Sequence, residues 1–416
     1  MLLRFSLYGF LKNLRLFEAF LVLALLERGL DFLSIGALIS VREVAINLLE
    51  IPSGALADAL GRKFCMVVAA AAYVVAYLVL GVATSWWLLA VAMAFYGFGD
   101  AFRSGTHKAI VYAWLRQQGR ADERTRVYGF TRSWSKIGSA CSALGGGAMV
   151  ALGTGYDAVF LASAIPAALN LVNLATYPRG LDRPSGGLAE GVRLAGRHLR
   201  AGLAATLRRG PVRGLVLWSA AVEGGYATVK DYVQPLLQTL AVGLVLGGTL
   251  GAEQRTGLVV GVVAAAMFLL ASAASRRSHR FEERLGGPEP AARALGVTMC
   301  AALAALALCL ALGLAWPATL LFVALAIGQN LWRPIQVGRF DDHGEEQLAA
   351  TVLSVESQAK AATAAVLAPA VGALVDVLAD GTTPVPVAAL WPAPAAAALV
   401  LAVAIATSRG RERRGA

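Results

Sequence analysis

The sequence predicts an all-α integral membrane protein whose twelve transmembrane helices form two pseudo-symmetric bundles of six. Hydrophobic residues make up 57% of its 416 residues and charged residues only 15%, which is more apolar surface than a soluble core can bury. Twelve stretches are apolar over about 20 residues, the length that crosses a bilayer. Basic residues collect on alternate connections between these stretches, as they do in multi-pass membrane proteins.

The twelve predicted spans have centres near Phe17, Ala45, Val74, Phe95, Ala140, Ala164, Ala221, Ala264, Leu306, Leu325, Ala362 and Ala398. No small-residue cleavage site follows the first span, so we expect a retained helix rather than a signal peptide. The longest polar interval divides the spans six and six, as in membrane proteins built from two duplicated halves. We therefore predict an N-terminal bundle at 1–178, a cytoplasmic linker at 179–211, and a C-terminal bundle with a basic tail at 212–416.

The predicted linker contains apolar residues at helical spacing among arginines, including Leu188, Val192 and Leu199. This pattern is typical of an amphipathic helix on the inner membrane surface. A disordered basic tether would have the same composition. Both interpretations place the linker in the cytoplasm.

The distribution of positive charge predicts the orientation of the chain. Twenty-five of the 37 Lys and Arg residues fall on segments that are cytoplasmic if both termini are, whereas the outer loops contain only Arg28 and Arg255. We predict a multi-pass protein of the plasma (inner) membrane with both termini in the cytoplasm. The net charge of +11 then faces lipid headgroups, and no loop is long enough for a nucleic-acid-binding domain.

The sequence lacks the motifs of catalysis and of cofactor binding. Its four cysteines lie within or beside apolar stretches and form no C-x-x-C pair, which argues against structural disulfides and zinc. It contains no H-E-x-x-H and no phosphate-binding G-x-x-x-x-G-K-[ST]. We predict that the chain is not an enzyme, uses no cofactor or metal, and is not driven by ATP.

A short charged turn between the second and third spans has a specific sequence pattern. It matches G-x-L-A-D-x-x-G-R-[KR] through Gly54, Asp58, Gly61, Arg62 and Lys63, with Leu56 and Ala57 between them. In this turn the chain resembles the major facilitator superfamily, which implies the twelve-helix major facilitator fold. The resemblance also implies a conformational latch, in which this turn helps to close the cytoplasmic side.

A second resemblance lies in the fifth span and is less complete. The drug:proton antiporter branch of the same family has the motif G-x8-G-x3-G-P-x2-G-G, and this chain supplies Gly129, Gly138, Gly146 and Gly147 at those offsets. Ser142 and Ala143 stand where the family has Gly and Pro. The resemblance favours efflux by antiport, while a small-residue groove for helix packing would also explain the glycines.

Charged residues within the spans are the candidates for a functional site, because each costs a few kcal/mol in lipid unless it faces a cavity or a partner. The resemblance implies that helices one, four, seven and ten line a central cavity. Our candidates for substrate contacts are Arg15, Arg42, Arg103, Arg333, Tyr96, Trp218, Tyr226 and Trp332. Any one of these aromatic residues taken alone could equally pack against lipid or protein.

Four carboxylates are candidates for proton coupling, namely Glu18, Glu223, Asp100 and Glu43. A carboxylate buried in a cavity can take and release a proton near neutral pH. We favour Glu18 and Glu223, because neither has an obvious partner on its own helix. Arg103 lies three residues after Asp100 and would hold it ionised.

We expect a secondary active transporter that exports a small organic compound in exchange for protons, by rocking of its two halves. Its expected partners are the substrate, protons and the lipid bilayer, and we expect a monomer. Bases outnumber acids among the embedded charges of the first half, which favours neutral or anionic substrates. The alternatives are proton-coupled uptake of an anionic metabolite and a membrane sensor or scaffold that does not transport.

Overall fold

A computed structural model describes residues 1–104, 106–120, 123–178, 181, 193, 196–197, 210–244, 250–342 and 346–415. Every regular element in these ranges is a helix, in agreement with the predicted all-α fold. The α-helices are α1 (Leu2–Lys12), α2 (Leu21–Glu27), α3 (Phe32–Leu60), α4 (Arg62–Val82), α5 (Trp86–Arg103), α6 (Thr106–Gln117), α7 (Arg124–Ala151), α8 (Gly155–Ala175), α9 (Gly210–Ser219), α10 (Gly225–Val229), α11 (Val233–Gly243), α12 (Ala252–Arg284), α13 (Pro288–Ala311), α14 (Ala315–Asp342), α15 (Glu346–Ala379) and α16 (Pro392–Gly415).

These helices follow the predicted order of twelve spans, and every predicted centre except Phe17 lies inside a helix. Among the described residues, eight helices are long and apolar enough to cross a membrane: those that contain Ala45, Val74, Ala164, Ala264, Leu306, Leu325, Ala362 and Ala398. The other four predicted spans are the first, fourth, fifth and seventh. The first and seventh of these are interrupted, whereas the fourth and fifth are continuous helices.

The first predicted span differs from the single helix that we expected. It consists of α1 and α2, joined by a turn across its centre. The side chain of Asn13 donates to the carbonyl oxygen of Gly9 at 2.7 Å, and its backbone N–H donates to Phe10 rather than to Gly9. An asparagine that bonds to the preceding turn in this way competes with the helical backbone pattern. The break therefore follows from a polar residue within an apolar segment.

The seventh predicted span is also irregular. Between α9 and α10 lies a π-helical turn, Ala220–Gly224, and a 3-10 turn, Lys230–Tyr232, separates α10 from α11. A π-turn inserts one extra residue into a helix and commonly marks a functional site. This one contains Glu223.

Two compact units make up the structure. The first comprises Met1–Ala24, Val41–Arg197 and Glu253–Phe268. Within it α4 packs between α5 and α8, and α1 packs against α7. A buried cluster at one end of these helices centres on Phe5, whose ring makes edge contacts with His107, Trp114 and Tyr177.

The second unit comprises Leu25–Ser40, His198–Ala252 and Leu269–Ala416. Within it α13 packs against α14 and α16, and the π-turn packs against α15. The predicted linker at 179–211 falls almost entirely outside the described residues. The predicted division into bundles at 1–178 and 212–416 therefore stays a prediction.

Each unit includes one short segment from the other half of the sequence: Glu253–Phe268 in the first unit and Leu25–Ser40 in the second. These segments form hydrogen bonds or close packing contacts with the rest of their unit. In the second unit, the backbone N–H groups of Phe32 and Leu33 donate to the carboxylate of Asp376, each at 2.7 Å. Ser40 donates to the carbonyl oxygen of Ala365 at 2.6 Å. This carboxylate caps the N-terminus of α3, where backbone donors otherwise lack partners.

Candidate functional site

Asp100 on α5 is the centre of a buried polar cluster in the first unit. Its Oδ1 accepts hydrogen bonds from Arg15 at 3.2 Å, Arg103 at 2.8 Å and the Tyr73 hydroxyl at 2.6 Å. Its Oδ2 accepts from Arg42 at 2.7 Å. We call these five residues, Arg15, Arg42, Tyr73, Asp100 and Arg103, the Asp100 cluster. It joins the first, second, third and fourth predicted spans.

Two glycines on α5 allow its neighbours to approach this closely. A Cβ on Gly97 would lie 2.6 Å from the carbonyl oxygen of Arg42, and one on Gly99 would lie 2.8 Å from the ring of Tyr73. Any larger residue would push α3 or α4 away. The small residues of α5 therefore set the distances within the Asp100 cluster.

The Asp100 cluster holds three guanidinium groups and one carboxylate, so it carries an excess of positive charge. Tyr96 contacts two of these guanidinium groups. Arg15 donates to its hydroxyl at 2.6 Å, and the guanidinium of Arg42 lies 4.5 Å from its ring centre. Cation–π contacts of this kind stabilise desolvated arginines. Glu43 is 3.4 Å from Arg42 and offsets one further charge. The arrangement is suited to an anionic ligand.

Glu223 forms a second candidate site, in the second unit. The side-chain amide of Gln329 donates to both of its carboxylate oxygens, at 2.9 and 3.2 Å. No ion pair to Glu223 occurs within the described residues. The carboxylate is thus bonded by a neutral group, which does not cancel its charge.

Arg333 lies beside this site and pairs with a different carboxylate. It donates to Glu356 at 2.6 and 3.1 Å, and Ser219 donates to the same carboxylate. Glu356 is fully buried. Lys360 lies four residues after Glu356 on the same helix, at a spacing that favours an ion pair, but the ion-pair partner in the structure is Arg333 on α14. A buried carboxylate needs a partner for each of its oxygens, and the two N–H groups of an arginine can bond to both.

The remaining aromatic candidates have different surroundings. Trp332 is fully buried and Trp218 nearly so, with the Trp218 ring against Gly296, so both lie within the protein core of the second unit. Tyr226 is half-buried on α10. Tyr96 is the aromatic candidate that contacts the Asp100 cluster. Glu18 lies in the turn between α1 and α2, three residues after Arg15 of the Asp100 cluster.

The predicted latch lies at the junction of α3 and α4. Gly61 separates the two helices with a φ of +99°, a backbone conformation that favours glycine. Arg62 begins α4, and Lys63 donates to the carbonyl oxygen of Tyr177. Asp58 lies in the last turn of α3, and its side chain is outside the described part. A Cβ on Gly54 would meet no described atom within 4 Å.

The fifth-span glycines lie along α7, where three of the four are in close contact with other helices. A Cβ on Gly138 would collide with the carbonyl oxygen of Phe10, and one on Gly146 with that of Leu16. Gly147 lies against Gly257 in α12. Gly129 is exposed and meets no described atom. The broken first span thus packs into the glycine face of α7.

Tyr73 and Gln329 are candidate site residues that we did not predict. Tyr73 sits four residues before Tyr77 on α4, a spacing that places both hydroxyl groups on one helix face, and this was the available signal. Gln329 carries no charge, so it did not stand out among the embedded residues. Among the described residues, no three His, Cys, Asp or Glu side chains group together as metal ligands would.

Solved structures of transporters have the same fold. The nucleoside transporter NupG is 15% identical, covers 98% of this chain and 98% of its own, and gives a TM-score of 0.72. A POT family transporter in complex with 5-aminolevulinic acid is 17% identical over 96% of this chain and 92% of its own, with a TM-score of 0.65. A bacterial homologue of the human lysosomal transporter Spinster, inward-facing and occupied, is 16% identical over 99% and 95%, with a TM-score of 0.70.

No curated protein sequence matches this chain. The similarity to the solved structures is therefore a similarity of fold, at identities too low to transfer a substrate. The sequence profile of the Major Facilitator Superfamily, in contrast, matches residues 13–369, which is most of the chain. The chain belongs to the Major Facilitator Superfamily and is a multi-pass membrane transporter of that type.

Proposed function

We propose that this transporter exports a small organic compound in exchange for protons, by alternating access, as members of the drug:proton antiporter branch do. The observation that carries the proposal is the environment of Glu223. It lies in the π-turn of the seventh span, accepts from the neutral amide of Gln329, and forms no ion pair within the described residues. A carboxylate in such a place can gain or lose a proton without breaking an ion pair.

The other carboxylates are less suited to carry the coupling proton. Asp100 accepts from three guanidinium groups and one hydroxyl, and protonation would remove the negative charge that those guanidinium groups balance. Glu43 is within ion-pair distance of Arg42. Glu18 is our second candidate, because it lies in the break of the first span. With Glu18 in the first half and Glu223 in the second, each half would have one carboxylate that can bind a proton during alternating access.

The direction of transport rests on the fifth-span glycines, four of which match the antiporter motif. We place the protein in the inner membrane with both termini in the cytoplasm, on the distribution of basic residues. We also propose that it is a monomer. Its latch, centred on Asp58, would close the cytoplasmic side during the cycle.

A second candidate function is proton-coupled uptake of an anionic metabolite. The excess of guanidinium groups in the Asp100 cluster favours it, because three arginines share one carboxylate there. Uptake predicts that cells making the protein accumulate the compound, whereas export predicts resistance to it.

The test uses purified protein in liposomes that contain a pH-sensitive dye. The panel includes cationic, neutral and anionic compounds, with a nucleoside and 5-aminolevulinic acid among them, since transporters of similar fold are named with these ligands. We expect at least one compound to drive a proton flux that protein-free liposomes lack. Folded protein that exchanges a compound with no accompanying proton movement would contradict the coupling, and exchange of none would contradict transport of these classes.

A further inference from the structure

Helix α12 continues well beyond the length that a membrane requires. It has 33 residues, which corresponds to about 50 Å, whereas the hydrocarbon core of a bilayer is about 30 Å thick. Twenty uncharged residues lie between Arg255 and Arg276, enough to cross that core. The end of the helix, from Arg276 to Arg284, therefore extends beyond the hydrocarbon, on the side that we predict to be cytoplasmic.

Four exposed arginines lie on this extension, namely Arg276, Arg277, Arg280 and Arg284. We call them the arginine face. None of the four forms a hydrogen bond or an ion pair within the described residues. Of the two acids on the extension, Glu283 pairs with His279 at 3.1 Å instead. Four bases against two acids leave the extension with an excess of positive charge.

The arginine face continues the exposed apolar side of the same helix. Leu269 and Leu270 are 58% and 44% exposed, and they lie in the part of α12 that is apolar enough to cross a membrane. Arg276 and Arg277 follow them by seven residues, or two helical turns, which places them on the same side. Ser278, by contrast, is buried against the protein. The arginines therefore face the surrounding lipid at the depth where the headgroups begin.

The position and charge of the arginine face specify its partner. Guanidinium groups bind phosphate oxygens in pairs of parallel hydrogen bonds, and clusters of basic residues just beyond a membrane helix attract anionic lipids. A soluble acidic partner would match the charge, but it would have to displace the lipid that covers Leu269 and Leu270. We propose that the arginine face binds an anionic phospholipid, with its phosphate on Arg276 and Arg277 and its acyl chains along the two leucines.

Position along the helix gives the four arginines different roles. Arg276 and Arg277 end the uncharged stretch, at the level of the lipid phosphates. Arg284 follows Arg277 by seven residues, which is about 10 Å further along the axis. The headgroup region is only about 5–8 Å thick on each side of a bilayer, so Arg284 lies at its outer limit. A defined lipid site and a diffuse attraction to the membrane therefore predict different effects of removing these charges.

The test uses purified full-length protein in phosphatidylcholine nanodiscs, with a fluorophore on Leu270→Cys and the four native cysteines changed to alanine. Phosphatidylglycerol or phosphatidylcholine that carries a doxyl quencher on an acyl chain is titrated in. The quenching measures how strongly each lipid associates with this position. We expect phosphatidylglycerol to be favoured about 25-fold, because each of the two arginines at the phosphate level contributes a factor of about five.

The variants change one charge at a time on the same helix. Arg276→Gln and Arg277→Gln should each lower the preference for phosphatidylglycerol about fivefold. Arg276→Lys should keep most of the preference, because it keeps the charge. Arg284→Gln is the matched control, and we expect a change of less than about twofold, because salt screens most of an interaction over about 10 Å. Size-exclusion profiles establish that each variant is folded.

Equal quenching by the two lipids in the protein with all four arginines would overturn the proposal. An equal loss of preference in Arg276→Gln and Arg284→Gln would also overturn it, because that result indicates a diffuse attraction. The measurement uses no substrate and no proton gradient, so it is independent of the proposed function. The expected lipid preference in a protein that moves no compound would retain the lipid site and reject the transport proposal. Compound-driven proton flux without a lipid preference would do the reverse.

Discussion

Gln329 donates its side-chain amide to both carboxylate oxygens of Glu223, with Nε2 2.9 Å from Oε1 and 3.2 Å from Oε2. The donor lies on α14 and the acceptor in the π-turn of the seventh span. A neutral amide orients a carboxylate and leaves its charge in place, unlike the guanidinium groups around Asp100. This difference is the basis for our proposal that proton coupling lies in the second unit and anion attraction in the first.

Substitution of Asp100 tests the role of its carboxylate as the shared acceptor of the Asp100 cluster. Asp100→Asn keeps the shape but leaves the buried guanidinium of Arg15 and the half-buried ones of Arg42 and Arg103 around a neutral amide. Breaking a buried ion pair by removing one partner costs about 3–5 kcal/mol. We expect the unfolding temperature of the purified protein in detergent to fall clearly. Asp380→Asn, at an exposed position whose positive φ asparagine tolerates, is the control. An unchanged unfolding temperature in Asp100→Asn would contradict the account.

The glycine face of α7 gives a matched pair of substitutions. A Cβ on Gly138 would lie 2.5 Å from the carbonyl oxygen of Phe10, whereas one on Gly129 meets no described atom. We expect Gly138→Ala to destabilise the protein by about 1–3 kcal/mol, because backbone must move to admit the methyl group. Gly129→Ala should be neutral or slightly stabilising. The measurement is the fraction of monodisperse protein after heating, and equal profiles for the two variants would count against the packing described here.

Asp376 tests the contact between the N-terminus of α3 and the C-terminal part of α15. Asp376→Ala removes two hydrogen bonds to backbone N–H groups, which costs about 0.5–2 kcal/mol for a helix cap. Ser40, bonded to Ala365 in the same contact, should become more accessible. We expect Ser40→Cys to react faster with a membrane-impermeant maleimide when Asp376 is alanine.

The labelling experiment needs a background in which the four native cysteines, Cys65, Cys141, Cys300 and Cys309, are alanine. Asp380→Asn in that background controls for a nonspecific effect of losing a nearby acid. Equal labelling rates in the Asp376→Ala and Asp380→Asn proteins would show that the cap does not hold this contact closed.

Hydropathy and charge distribution predicted the all-α class and the number and order of the spans, because a bilayer imposes one length and one composition on every span. The break at Asn13 was not predicted, since the segment is apolar enough to be a helix and its polar residue acts through a local bond to Gly9. Family membership was anticipated from one turn, centred on Asp58, and it favours transport over the sensor alternative.

The sequence predicted many of the individual site residues, but it did not predict which of them contact one another. Asp100 and Arg103 form the pair that their spacing suggested. Arg15 and Arg42 belong to two other spans, yet both reach Asp100. Whether these side chains meet depends on the positions and angles at which the helices pack. Small residues such as Gly97 set that packing, but the sequence does not show which helix packs against them. Glu356 shows the same limit, because its partner Arg333 comes from another helix.

The central claim is that Glu223 carries the coupling proton, and the most direct measurement compares Glu223→Gln with unaltered protein in dye-loaded liposomes. With a compound that drives proton flux in the unaltered protein, we expect Glu223→Gln to lose that flux but still to exchange labelled for unlabelled compound. Asp380→Asn, the same change at an exposed position, should keep both activities. Proton flux in Glu223→Gln equal to that of the unaltered protein would contradict the account.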